Sequence, residues 1–243
     1  MGTTYMDCLN RVKSAGKIRV GVVIDVPGRS YLNPKTNRME GFEADLGRLI
    51  AKELFGDENK IEFVKVDGRQ KVSFIKEDKV DISISMLSII KERAELIEFS
   101  KPYFTDRAAL LVLKNSSIKS LADLKGKRVG AVATGGTALR FQTEFPDAET
   151  VSLANSAEAI EALKSHQIDA LTAVSVHLKL FHSTLKDRDN FILLSTGEHF
   201  TPQDFGIGVK KGCADLLAFI NAALDKFKAS GTLDKLLKKH HWT

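Results

Sequence analysis

The chain has 243 residues, 43% hydrophobic and 28% charged, enough to bury the core of one large domain or two smaller ones. Its net charge of +5 arises from Lys and Arg scattered among Asp and Glu. Long basic runs interleaved with aromatics and zinc-finger spacings are both absent, which argues against a nucleic-acid partner. No apolar run reaches the roughly 18 residues of a helical membrane span.

The opening Met-Gly-Thr-Thr-Tyr-Met lacks the basic start and apolar run of a signal peptide and reads as a leader standing in place of whatever preceded it. Cys8 and Cys213 are too far apart for a CxxC motif. They can pair if an N-terminal helix packs beside the helix starting near 213; otherwise they are buried thiols. Lys17 to Ile24 reads as a strand, followed by a turn-rich loop from Pro27 to Asn37. Gly41 to Phe55 predicts an amphipathic helix with Phe42, Leu46, Leu49, Ile50 and Leu54 on one face. A strand over 61–66, a short helix over 70–77 and a strand over 80–85 complete a β-α-β-α-β run, the pattern of a mostly parallel sheet flanked by helices.

After the apolar strand Ala108 to Leu113 the pattern restarts. A short helix at 121–124 precedes strands over 128–133, 150–153, 170–174 and 191–194, alternating with helices over 136–144, 157–165 and 176–185. A last strand, Phe205 to Val209, leads into helices over 214–229 and 233–240. Two similar α/β lobes are expected: residues 1–107 with 209–243, and 114–202. Strands 108–113 and 203–208 would form a hinge able to close over a ligand at the carboxyl ends of the sheets.

Residues 81–103 carry the most chemistry. The strand Asp81 to Ser85 opens into a small polar loop at Ser88 and then a helical turn bearing Arg93. A guanidinium beside free backbone N–H groups suits a small carboxylate, which it can hold bidentately.

Five blocks resemble the extracellular solute-binding proteins of polar amino acid ABC transporters, across essentially the whole chain. They are Gly41-Phe42-Glu43-Ala44-Asp45-Leu46, Glu92-Arg93, Phe99-Ser100-Lys101-Pro102-Tyr103, Leu121 to Gly130, and Asp169-Ala170. The resemblance implies an α/β fold, the two-lobe clamshell of type II periplasmic binding proteins. It implies a monomeric periplasmic or cell-surface receptor that captures a small carboxylate-bearing ligand, an amino acid or related organic acid, by hinge closure. Its further partner would be the membrane permease of an ABC importer, and no cofactor or metal is expected.

Carried over to this chain, Arg93 would grip the carboxylate with Ser88 assisting and Met86 forming wall and backbone contacts. Gly136 and Thr137, in Thr134-Gly135-Gly136-Thr137, resemble the loop that adds contacts from the closing lobe. Lys71 and Arg69 fall near a side-chain reader, and Tyr31 near an aromatic lid; Phe42 instead fits the apolar face of its helix. The family usually ends the Asp-Ala strand in an Asp that pairs with the ligand's ammonium, and here that position is Val174. Ile90 likewise replaces a threonine before the arginine. A buried ammonium without a counter-charge costs several kcal/mol, on the order of a broken buried ion pair. Three readings follow: a ligand without an α-ammonium, a counter-charge from Glu198 or Asp204, or a redesigned or decayed site. A dehydratase-like enzyme using Glu198, His199 or His177 and a ligand-sensing module are the alternative functions on this fold.

Overall fold

Alternating apolar strands and amphipathic helices assemble into two units, Met1–Thr105 with Asp204–Thr243 and Asp106–Gln203. The structure, a computed structural model, describes residues 7–24, 26–133, 135–195 and 200–243. Unit 1 opens with α1 (Cys8–Ala15), β1 (Ile18–Val22), β2 (Tyr31–Asn33), β3 (Arg38–Glu40) and α2 (Phe42–Phe55). It continues through β4 (Ile61–Lys65), α3 (Gln70–Lys76), β5 (Ile82–Ser83), α4 (Lys91–Ala94), β6 (Glu98–Phe99) and β7 (Phe104–Asp106). Unit 2 holds β8 (Ala108–Leu113), β9 (Arg128–Val132), α5 (Gly136–Glu144), β10 (Glu149–Leu153), α6 (Ser156–Lys164), β11 (Ala170–Val174), α7 (Ser175–Thr184) and β12 (Phe191–Leu194). The chain returns through β13 (Gln203–Phe205) and closes unit 1 with β14 (Gly208–Val209), α8 (Ala214–Ala229) and α9 (Thr232–Lys239).

The two sheets share one plan. In unit 1 the order is β4-β1-β5-β14-β6, and in unit 2 it is β10-β9-β11-β8-β12. Each has three parallel strands extended by two antiparallel pairings. Both sheets are braced alike at the amino ends of their parallel strands. Arg19 clasps Asp81 through Nη2 at 2.7 Å, and its backbone N–H donates to the same carboxylate at 2.8 Å. In unit 2, Arg128 and Asp169 repeat this at 2.9 and 2.8 Å. A bidentate Arg–carboxylate clasp fixes the relative height of two strands. The Asp169-Ala170 block therefore has a structural duty in this chain.

Three departures from the sequence reading have simple causes. Tyr31–Asn33 and Arg38–Glu40 form a hairpin rather than a plain loop, with Asn33 Oδ1 accepting from Lys35 N–H at 2.9 Å and Asn37 at a positive φ of 52°. The predicted strand Phe205–Val209 is split into β13, which pairs with β7, and β14, which pairs with β5 and β6. Ala108–Leu113, expected at the hinge, is an interior strand of unit 2 between β11 and β12. Its first five residues are buried, as an interior strand requires. The chain crosses between units at 105–106, inside β7 and just before β8, and at 203–204, inside β13 and within the expected segment 203–208.

Cys8 and Cys213 form a disulfide joining the start of α1 to the residue that precedes α8, with Cα atoms 5.4 Å apart. Leu9 N–H donates to Asp215 at 2.8 Å beside it. Among the described residues, no helix is long and apolar enough to cross a membrane.

Candidate functional site

In unit 1 the loops that follow β1, β4 and β5 leave the carboxyl edge of the parallel strands, where open α/β sheets place ligands. The loop after β5 is the most constrained. Ile84, Ser85, Met86, Leu87 and Ser88 are all buried, and Met86 holds a positive φ of 44°, uncommon for a residue with a side chain. Leu87 O accepts from Gly206 N–H at 3.1 Å, Ile89 N–H donates to Asp204 O at 2.9 Å, and Ser88 bridges to Phe205. Arg93, on the short α4, is half-buried and donates through Nη1 to Ser88 O at 3.2 Å. Burial pulls its pKa down, against a smaller opposing effect of Glu92, and a guanidinium remains cationic regardless. Met86, Ser88 and Arg93 thus come together as one charged, backbone-rich edge.

Beneath this edge lies a carboxylate that the sequence reading left without a role. Glu43 is fully buried on α2. Its Oε1 accepts the backbone N–H of Met86, in a short hydrogen bond, and the Tyr103 hydroxyl at 3.4 Å. Its Oε2 faces Arg29 Nε at 3.3 Å and Ser30 Oγ at 3.3 Å. Arg29 Nη2 in turn donates to Ser85 O at 3.0 Å. Burial, and then the neighbouring Glu43, drive the Tyr103 hydroxyl pKa well above its ordinary value, so Tyr103 stays protonated as a donor. Gly41 makes the arrangement possible: at φ 113°, a Cβ there would lie 2.4 Å from Arg29 O. The signal for Glu43 was present in the sequence, because it shares a helix face with the buried Leu46 and Ile50 at i+3 and i+7.

The remaining unit 1 candidates stand apart. Tyr31 is half-buried in β2 opposite Glu40, Lys71 sits half-buried in the first turn of α3, and Arg69 is exposed just before it. Phe42 is core, stacked on Trp242 with ring centroids 4.2 Å apart. Asp204 is exposed, and its carboxylate accepts from Thr105 Oγ1 at 2.6 Å.

In unit 2, Gly136 and Thr137 open α5 and are buried. The Thr137 hydroxyl accepts from Gln203 Nε2 at 3.3 Å, and its backbone N–H lies in the first turn of α5, where N–H groups have no partner within the helix. Val174 ends β11, buried and paired with Ala108. Two residues on, Val176 N–H donates at 2.8 Å to Asp106, a carboxylate the sequence reading did not single out. Burial raises the Asp106 pKa, opposed by the N–H groups of Val176 and Arg107 and by the charges of Lys179 and Arg107. His177 Nε2 lies 3.1 Å from Ser156 Oγ. Thr134, Glu198 and His199 lie outside the described residues. No group of three or more potential metal ligands occurs among the described residues.

The sequence profile of the bacterial extracellular solute-binding proteins, family 3, matches residues 18–243. The ABC transporter glutamine-binding protein GlnH of Bacillus subtilis (strain 168) is 36% identical over 234 residues, covering 96% of this chain and 84% of that protein. Among solved structures, the cysteine-binding protein from Campylobacter jejuni superposes with a TM-score of 0.83 at 29% identity, covering 97% of this chain and 93% of that one. The ancestral amino acid-binding protein AncCDT-1, a precursor of cyclohexadienyl dehydratase, gives 0.82 at 30% identity, with 95% and 98% covered.

Proposed function

The chain belongs to the bacterial extracellular solute-binding proteins, family 3, and from that membership we propose that it is the amino acid receptor of an ABC importer. The observation that carries this reading is Arg93, a half-buried guanidinium hydrogen-bonded to Ser88 O at the carboxyl edge of the unit 1 sheet. There it offers two parallel donors to a carboxylate, with Ser88 beside it. In unit 2, Gly136 and Thr137 offer the helix-start donors that suit an anion, and in unit 1 Met86, Tyr31 and Lys71 contribute walls and side-chain contacts. Capture rather than catalysis is the role, the protein working as a monomer at the cell surface or in the periplasm and delivering to a membrane permease.

The first ligand to try is L-glutamine, because the glutamine-binding relative is matched over 96% of this chain. Its ammonium needs a counter-charge that Val174 does not supply. Asp106, held against the N-terminus of α7 two residues past Val174, is the carboxylate we assign to it. An acid lacking the ammonium is the second reading, and Val174 is the observation that favours it.

A thermal-shift panel separates the two. It pairs glutamine with its des-amino analogue glutaramate, aspartate with succinate, and alanine with lactate. A ligand at 100 times its Kd stabilises by about 2.7 kcal/mol, a rise of roughly 5–10 °C in a chain of this size. Amino acids should shift the melt, and Asp106→Asn should erase their advantage over the des-amino partners. A response confined to the des-amino acids would sink the amino acid reading, and no response to either set would sink the receptor assignment for small acids.

A further inference from the structure

We propose that Glu43 is a positioning residue for ligand binding: its buried carboxylate sets the Met86–Ser88 loop in the conformation that receives a carboxylate against Arg93. The ligand in this statement rests on the receptor reading; the state of the loop does not.

Five observations converge on the loop. Glu43 has no exposed surface, yet one of its oxygens is directed at a backbone N–H of the very segment that leads into Ser88. Met86, the residue so held, adopts a positive φ of 44°, which a side-chain-bearing residue keeps only when its surroundings impose it. The carbonyl of that same peptide, Ser85 O, is held from the same cluster, by Arg29 Nη2 at 3.0 Å. The Leu87–Ser88 peptide is fixed from the return strand, by Gly206 N–H on Leu87 O at 3.1 Å. Ser88 O, the next acceptor along, is the group to which Arg93 donates at 3.2 Å.

The chain from Glu43 to Arg93 is therefore continuous through hydrogen bonds and the rigid peptides 85–88. A carboxylate engaged by Arg29, Ser30, Tyr103 and Met86 is a large investment of buried polar groups for one helix start. Packing α2 on the sheet requires none of it, because Phe42, Leu46 and Ile50 already bury that face. What the cluster does determine is the backbone of residues 85 and 86. A loop held in its bound form before the ligand arrives loses less conformational freedom on binding, which raises affinity without any direct contact.

The test compares Glu43→Ala and Glu43→Gln with Leu46→Ala, a core truncation on the same helix that leaves the loop's partners intact. Three quantities are read on each protein: ligand-free Tm, amide hydrogen exchange of residues 85–88, and affinity for L-glutamine by calorimetry. In Glu43→Ala the loop amides should exchange at least about tenfold faster than in Leu46→Ala at matched global stability. Glutamine affinity should fall by about tenfold or more, while Leu46→Ala stays near wild type. Glu43→Gln keeps an oxygen acceptor for Met86 N–H but loses the charge that faces Arg29, so it should recover only part of both losses and still exchange faster than wild type at 85–88. It decides the matter if the alanine variant does not fold. Unchanged loop exchange in a folded Glu43 variant, or equal effects of Leu46→Ala, would overturn the proposal. A wild-type protein that ignores glutamine would refute the choice of ligand, and the exchange comparison would still judge Glu43.

Discussion

At the scale of single residues, two arginines and two acids in unit 1 divide the labour of one loop. Arg93 donates to its Ser88 carbonyl and Arg29 to its Ser85 carbonyl; Glu43 anchors Met86, and Asp204 offers its backbone carbonyl to Ile89. Arg93→Ala should weaken glutamine binding by at least about 100-fold, since a bidentate charged hydrogen bond is worth roughly 3 kcal/mol. Arg93→Lys should recover only part of that, because a lysine ammonium is a point donor. Calorimetric titration of both variants beside wild type checks this, and equal affinities would remove Arg93 from the site. Arg93 was legible in the sequence because a strand, a small polar loop and a helical turn bring it to a sheet edge. Asp106 was not, since only folding carries its carboxylate to Val176 N–H across 70 positions. Arg29 was equally silent, an arginine in a turn-rich segment whose burial comes entirely from tertiary contacts.

At the scale of elements, the strand–helix alternation was largely readable, and the misses cluster where two or three residues decide pairing. The two-residue strand β6 carries too little periodicity to be seen and β14 was read only as the end of one longer strand, while Ala108–Leu113 was correctly apolar but belongs inside a sheet. Helix α2 also docks on the end of α9 through a polar knot. Asp45 is engaged by Arg48 at 2.8 Å, Lys239 at 2.7 Å and His240 at 2.8 Å. Burial alone would raise the Asp45 pKa, but hydrogen bonds from His240 and Lys239 outweigh it and hold it well below its ordinary 3.8. A depressed carboxylate contributes stability that is complete above its unfolded value and is lost as pH falls toward the folded one. Wild type should therefore lose stability from about pH 4 downward, and Asp45→Asn should flatten that slope. At neutral pH the same substitution should cost about 1 kcal/mol, measured by urea unfolding across the pH series. Parallel slopes for both proteins would show that Asp45 is not the group responsible.

At the scale of the whole molecule, the disulfide between Cys8 and Cys213 closes a loop with a sequence separation of 205 residues. Its pairing could be raised from sequence only as a conditional, because it depends on α1 meeting α8 in space. Long loops gain most from closure, so reduction, or Cys8→Ser with Cys213→Ser, should lower the stability of unit 1 by about 2–4 kcal/mol. Denaturant melts with and without reductant read this directly, and coincident curves would refute it. Unit 2 is contiguous, whereas unit 1 is assembled from Met1–Thr105 and Asp204–Thr243. A chain made from its amino end completes unit 2 first and can fold it at once. During that interval β5 has no β14 beside it, so a bare strand edge awaits its partner, the kind of surface on which nascent chains aggregate. The half of the protein that carries Arg93 is thus begun first and finished last, and chaperone demand should track the delay before residue 208 emerges.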